Sequence, residues 1–433
     1  MTNRRTFLKA SAAPLAATAF PAIIPAAALG RNGVMAPSER VTIATIGVNW
    51  MGTSHLNAFT KLPAAQLVAV CDVEETHLAK AKERVDKAYQ NNDCVTYRAF
   101  EEVLARRDID AVSIAVPDHW HGLIATLAAR AGKDIYGEKP LARTFREGVA
   151  IREAVQKHKR IWQTGSWQRS TENFRQACEL VRNGRIGKIK RIEVGLPGGH
   201  SDFDKTKEQT QITEPPPTLN WDRWLGPAPE APYCVARVHK SWRWNLDYGG
   251  GQLMDWVGHH VDIAHWGMDW DNTGPLEISG KGEFPPRTAL WNSATKFRID
   301  AKYPGDVQMI IAGDYKEVRS GTKWIGETGW IWVNRGGLEA SDPKLLQSVI
   351  QPNEIHLPKV TSHYGEFIDA VKSRGKTRTP AEAALRSATP GWLGQIAMQT
   401  GKKLKWDPVQ EHIIGNPEAE KMLGPQMRAP WQI

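Results

Sequence analysis

Val41-Thr42-Ile43-Ala44-Thr45-Ile46-Gly47-Val48-Asn49-Trp50-Met51-Gly52 is the stretch whose reading decides the fold. Six mostly apolar and β-branched residues make a short buried strand, and two glycines bracket the turn after it. A helical period follows over residues 52–61. In a dinucleotide fingerprint, the first glycine makes the tight turn and the second lets the backbone approach a pyrophosphate. The third packs helix against strand. Asn49 holds the middle position here. Asparagine tolerates left-handed backbone angles, but its side chain alters the room for that contact. Asp72 closes a second apolar run, residues 67–71. A carboxylate at that strand end accepts from a ribose 2′-hydroxyl and repels a 2′-phosphate, which favours NAD over NADP. Gly47, Asn49, Trp50, Met51, Gly52 and Asp72 are therefore the expected cofactor contacts. The bland alternative is a tight turn and a strand-end aspartate without a cofactor.

Working outward, residues 75–89, 100–106 and 119–131 have helical periods, while 111–116 and 134–136 are short apolar runs. Strands alternating with helices imply an α/β, doubly wound parallel sheet, the Rossmann arrangement, over residues 38–160. Ligands of such sheets lie outside the carboxyl ends of the strands. Two segments fall there: Pro117-Asp118-His119-Trp120-His121 and Gly137-Glu138-Lys139-Pro140. Pro117, His121, Glu138 and Lys139 join the expected cofactor set, and Lys139 can donate to a substrate hydroxyl or carbonyl oxygen. A Glu-Lys pair is elsewhere a solvated surface feature, so its position carries the inference.

The alternation stops near residue 160. Residues 189–194, 276–282, 296–301, 307–312 and 324–333 read as strands without intervening helices. They imply a second, α+β domain over 161–403 built on a large, mostly antiparallel open sheet, followed by a tail over 404–433. Residues 251–267, 363–374 and 381–400 read as helices. The first of these follows Gly249-Gly250-Gly251 and places Asp255, His259, Asp262 and Trp266 on one face, at i, i+4, i+7 and i+11. A histidine beside a carboxylate shuttles protons near neutral pH. A structural ion pair on a half-buried helix is the competing reading. A metal site from His259, Asp262 and His265 is disfavoured, because His265 lies off that face.

Composition narrows the classes. The chain has 433 residues, enough for two domains, with 41% hydrophobic and 24% charged residues, which excludes a disordered or coiled-coil protein. The formal charge of +9 is dispersed, with no basic stripe of the kind that binds nucleic acid. No apolar run beyond the N-terminal segment reaches the roughly 20 residues that span a bilayer. Four cysteines without a CxxC pair argue against a disulfide framework or zinc. Eighteen tryptophans suit sugar rings, although any one of them can be sheet packing instead. Residues 1–30 open with Asn3-Arg4-Arg5-Thr6-Phe7-Leu8-Lys9, run on through an Ala-rich stretch and offer Ala26-Ala27-Ala28 for cleavage. This reads as a twin-arginine signal, with a periplasmic or other extracytoplasmic destination and a cofactor loaded before export.

Taken together, these motifs resemble the Gfo/Idh/MocA oxidoreductases, the glucose–fructose oxidoreductase and inositol dehydrogenase family, from Val41 to about Lys403. The resemblance implies a Rossmann domain, a C-terminal domain whose open sheet walls the substrate cleft, and self-association through that sheet. It makes Lys139, Asp255 and His259 the catalytic set: His259 moves the hydroxyl proton, Asp255 orients it and Lys139 polarises the oxygen. Asn49 departs from the family pattern, as does Val257, which stands where many members have glycine. Arg169, His200 and Arg243, with His259, are expected substrate contacts. The implied activity is NAD-dependent oxidation or reduction of a secondary hydroxyl of a sugar, glycoside or cyclitol, with the cofactor tightly bound. The alternative is an NAD-dependent glycoside hydrolase that oxidises, eliminates, adds water and reduces, with His259, His200 or Tyr248 as the second base. A non-catalytic sugar-binding protein is a third reading, against which the intact Lys139, Asp255 and His259 set argues.

Overall fold

The computed structural model describes residues 35–202, 205–286, 288–424 and 426–433. The expected twin-arginine segment, Arg4 and Arg5 included, lies outside the described residues. The chain divides at Arg40 into two units. In the first, Pro37–Glu39 forms a single 3-10 turn; Val41–Ile433 forms the second and carries both sheets.

The first sheet has six parallel strands: β1 (Val41–Ile46), β2 (Ala65–Cys71), β3 (Val95–Tyr97), β4 (Ala111–Ile114), β5 (Asp134–Gly137) and β6 (Trp162–Thr164). Their order is β3-β2-β1-β4-β5-β6. β4 and β5 are buried along their whole length and β1 at all but Thr42, as strands covered on both faces must be. The helices Met51–Phe59, Glu75–Tyr89, Phe100–Ala105, Asp118–Arg130 and Phe145–Lys157 make the crossovers. The order reverses between β1 and β4, so their carboxyl ends open a crevice where the expected motifs sit. β6 carries the sheet past the expected boundary at residue 160.

This domain is also not contiguous. The helix His363–Ser373, capped by the Ser362 hydroxyl, returns to cover one face of the sheet. Its Phe367, Ile368 and Val371 share a core with Val41, Ile43, Phe59 and Tyr136. Tyr364 stacks on Tyr136 at a centroid distance of 5.0 Å.

The second sheet has nine strands, adding β7 (Ile189–Leu196), β8 (Glu277–Glu283), β9 (Lys296–Lys302), β10 (Gln308–Gly313), β11 (Gly321–Gly326), β12 (Trp330–Asn334), β13 (Gly337–Ala340), β14 (Leu404–Asp407) and β15 (His412–Ile414). The order is β13-β12-β11-β7-β10-β9-β8-β14-β15. β7 and β10 run parallel, and the other described pairs are antiparallel. Residues 324–333, expected as one strand, are a hairpin turned at Glu327-Thr328-Gly329. Residues 404–433 are no tail, because β14 and β15 extend the sheet and Trp431 packs edge-on against Trp120. Along β9, Phe297, Ile299 and Ala301 are buried on the side of the long helix Ala381–Thr400, while Lys296, Arg298, Asp300 and Lys302 alternate onto the open face. Glycine permits this close approach: a Cβ at Gly394 would lie 2.3 Å from Ile299 Cδ1.

Candidate functional site

A cleft lies at the β1/β4 crevice, lined by Gly47 to Met51, Asp72, Pro117, Asp118, His121, Glu138 and Lys139. Gly47 has φ of 79°, and a Cβ there would meet the Ala115 carbonyl oxygen at 2.5 Å. A Cβ at Gly52 would meet the Gly47 oxygen at 2.0 Å. Both outer glycines are therefore demanded by the turn itself. Asn49 turns its side chain back, and its Oδ1 accepts from Trp50 N at 2.9 Å. Trp50 adopts φ of 45°, costly for a bulky side chain, and stands 52% exposed at the rim. Asp72 accepts from Val48 N and Glu74 N, both at 3.0 Å, which ties the end of β2 to the turn. Burial nevertheless pushes its carboxyl above the usual range.

Glu138 and Lys139 divide the work at the end of β5. Glu138 faces the fully buried His55 at 3.0 Å and also takes the Lys139 amide. Burial opposes its charge, but the bond and charge of His55 outweigh burial and hold its pKa below the ordinary value. Lys139, followed by a cis peptide bond to Pro140, extends the other way. Its Nζ donates to Asp255 Oδ1 at 2.8 Å and to the Asp255 carbonyl at 3.0 Å. Gly258 allows the approach, since a Cβ there would lie 2.7 Å from Lys139 Cβ.

Asp255 and His259 line a second cavity of about 800 Å³, which shares Trp50, Met51, Glu138, Lys139, Arg243 and Asp255 with the cleft. Burial works against the Asp255 charge, but Lys139 and then Arg243 overcome it, and the carboxyl stays below its ordinary pKa. His259 is held well below the ordinary imidazole value, chiefly by burial and then by the Lys139 and Arg335 charges. Its Nδ1 is buried without a partner, which leaves Nε2 as the accessible nitrogen. Asp255 thus bonds Lys139 and not His259: the expected orientation of His259 by Asp255 is replaced by orientation of the lysine.

The expected shared face is also broken. Gly251–Trp256 is α-helical, Val257–Val261 is a π turn and Asp262–Met268 resumes the α-helix. The wider turn rotates everything after it. Asp262 consequently points into the second domain, where both its oxygens pair with Arg169 at 2.8 Å. Asp271 holds the same guanidinium. Arg169 is 1% exposed and lines neither cavity, so the structure moves it from the substrate set to a buried ion-pair network. Trp266 lies over that guanidinium. His200 and Arg243 do line the second cavity. Val257 is fully buried against the long helix near Gly391 and lines neither cavity. Tyr248 is buried with Arg237 on its hydroxyl, away from both cavities. His265 bonds the Tyr303 hydroxyl at 2.8 Å. Among the described residues, no group of three or more His, Cys, Asp or Glu is arranged to hold a metal ion.

Residues 41–166 match the family described as the oxidoreductase family, NAD-binding Rossmann fold, and residues 170–433 match its C-terminal alpha/beta domain. The chain belongs to the Gfo/Idh/MocA oxidoreductase family. Its cofactor is NAD, and the tight glycine turn and the strand-end Asp72, both lining the cleft, fit that group. An aldose–aldose oxidoreductase from Caulobacter crescentus, complexed with glycerol, shares the fold at a TM-score of 0.61 and 17% identity over 84% of this chain and 99% of the other. A scyllo-inositol dehydrogenase from Lactobacillus casei, with bound NAD(H) and scyllo-inositol, does so at 0.57 and 17% over the same shares. By sequence, an alpha-N-acetylgalactosaminidase from Shewanella oneidensis is 31% identical over 209 residues, 43% of this chain and 44% of that protein. The chain thus spans less than half the length of such curated relatives. No helix among the described residues is long and apolar enough to cross a membrane.

Sequence reasoning gave no site role to several residues that reach these cavities, among them Asp118, Trp167 and Arg335. Asp118 begins its helix inside the cleft, where burial and then the Asp255 charge push its carboxyl up to about 8. Trp167 and Arg335 line the second cavity. Arg335 occupies the Asn334-Arg335-Gly336-Gly337 turn between β12 and β13, and that Asn…Gly-Gly pattern was the available signal.

Proposed function

We propose that this chain is an NAD-dependent oxidoreductase acting on a secondary hydroxyl of a sugar, glycoside or cyclitol, with the cofactor retained between turnovers. The observation that carries the reading is Lys139 Nζ seated on Asp255 at 2.8 Å, in a cavity that holds His259 and opens onto the nucleotide cleft. NAD bound in the cleft supplies the two-electron redox chemistry at the substrate carbon. Lys139 donates to the substrate oxygen and stabilises the negative charge that develops on it. Asp255 anchors the ammonium and balances its charge. His259, kept neutral by burial, accepts the hydroxyl proton at Nε2 in oxidation and returns it in reduction. Trp167 and Trp244 provide apolar walls against which a sugar ring can lie.

Export belongs to the same reading. A folded protein carrying its cofactor through the twin-arginine route would reach the periplasm equipped for a closed cycle, in which one sugar is oxidised and another reduced. The open face of the nine-stranded sheet is the proposed surface for a homo-oligomer. The similarity to the Shewanella oneidensis alpha-N-acetylgalactosaminidase favours a second reading, redox-neutral glycoside cleavage, in which His259 or His200 would remove the proton beside the transient ketone.

One experiment separates these readings. The purified protein is denatured and its NAD(H) counted per chain, and the native protein is then given free sugars and glycosides. About one NAD(H) per chain with oxidised and reduced sugars as products supports the first reading. Release of the aglycone with no net redox change supports the second, and an empty protein that turns over only with added NAD removes the retained-cofactor element.

A further inference from the structure

Arg335 lines the substrate cavity but not the nucleotide cleft, whereas Arg243 lines both. This difference separates a cation for the substrate from one within reach of the cofactor. The Arg335 guanidinium lies over two indole rings, Trp167 at 4.8 Å and Trp256 at 4.7 Å. Its Nε donates to Gln168 Oε1 at 3.1 Å. Gln168 is fully buried and its amide meets His260 Nδ1 at 3.3 Å. The His260 ring is held neutral by burial and then by the Arg335 charge, so its Nδ1 can accept from Gln168. The plane and one edge of the guanidinium are thus fixed before any ligand arrives.

The other edge is open. Among the described residues, no carboxylate lies within ion-pair distance of Arg335, and its two Nη atoms have no hydrogen-bond partner. The acids of the cavity are paired elsewhere, Glu138 to His55 and Asp255 to Lys139 with Arg243 beside it, and the Asp255 charge reaches Arg335 only from beyond ion-pair distance. An arginine built this way presents a planar fork matched to two oxygens of an anion.

We propose that the substrate bears a carboxylate, as a uronic acid or its glycoside does, and that Arg335 recognises it. This rests on the sugar-oxidoreductase reading above and names the class of sugar. Phosphate and sulfate esters also fit a guanidinium fork, so both are titrated beside the hexuronide.

The test is calorimetric titration of the NAD-bearing protein with a methyl hexuronide, the neutral methyl hexoside, a hexose phosphate and a hexose sulfate. The hexuronide is expected to bind at least tenfold more tightly than the neutral sugar, with the advantage shrinking as salt rises. In R335Q the ratio falls to near one while NAD content and melting temperature stay unchanged, and R335K restores part of it. Equal affinities for hexuronide and hexoside, or an R335Q protein that keeps the ratio, overturn the proposal. So does a preference for the phosphate or sulfate ester over the hexuronide. Turnover of neutral sugars without any acidic preference would overturn this assignment alone. Arg335-dependent hexuronide binding without any change in nicotinamide absorbance would instead sink the oxidoreductase reading.

Discussion

Replacing Lys139 with methionine keeps the stem that packs over Gly258 and removes only the ammonium. Two effects follow from the geometry. The substrate oxygen loses a preorganised cationic donor, a loss that costs about 10²–10³ in kcat, or roughly 2.7–4 kcal/mol. The Lys139 and Asp255 side chains are 13% and 27% exposed, so water reaches the pair and places the effect near the lower end, about 100-fold. The loss of stability should be limited, because Asp255 keeps Arg243 Nε at 3.7 Å as a second cation. The second effect is on pH dependence. After burial, Lys139 is the largest influence holding His259 below its ordinary value of 6.5. The wild-type acid limb of kcat/KM should therefore lie well below pH 6.5, since the neutral base persists as pH falls. Removing the ammonium makes protonation easier and moves the limb up. Initial rates across pH, with NAD(H) counted per chain in both proteins, give the answer. A K139M rate within threefold of wild type, a wild-type limb at or above pH 6.5, or a limb that moves down would each refute the reasoning.

Three further outcomes are expected. R169M leaves Asp262 buried without its partner and should destabilise the fold by about 3–5 kcal/mol in urea titrations; a loss under about 1 kcal/mol would contradict the buried network. G47A forces a Cβ into the Ala115 carbonyl at a φ of 79° and should lower retained NAD at least tenfold, a prediction undone by a full complement of cofactor. Burial holds His119 and His260 at about 3 and His265 and His363 at about 4, so the unfolded chain binds protons there between pH 6.5 and about 4 while the folded one does not. Stability should then fall on acidification, by about 1.4 kcal/mol per pH unit for each ring, with Asp118 acting in the opposite sense. A urea midpoint at pH 5 equal to or above that at pH 7 would be the contrary result.

The Rossmann half was legible because its signals are local. A β-branched run, a glycine turn and a strand-end aspartate each fit within one βα unit, and β1 and the helix Glu75–Tyr89 begin and end where their patterns do. The cavity was legible only in part. The π turn at Val257–Val261 has no residue signature, so helical spacing put Asp262 on the face of Asp255. Arg169 looks the same in sequence whether it meets a substrate or two buried aspartates. The Asn334-Arg335-Gly336-Gly337 turn is a local signal, but its reach into the cavity comes from strand pairing across the second sheet, which no local window contains.

The returning helix His363–Ser373 also sets an order of assembly. His363 bonds Gln163 and Thr164 at the end of β6, about 200 residues back along the chain, and its neighbour Tyr364 packs on His55, which meets Glu138 beside Lys139. Synthesis delivers the six-stranded sheet first, with the apolar face of Phe59 and Tyr136 still bare. That face closes only once the entire second sheet strand series up to β13 has been made. The lysine's footing is thus completed only when residues 363–373 have been made, and a chain that stops before the returning helix lacks it. Arrival of the returning helix becomes the checkpoint for the folded sheet face beneath Glu138.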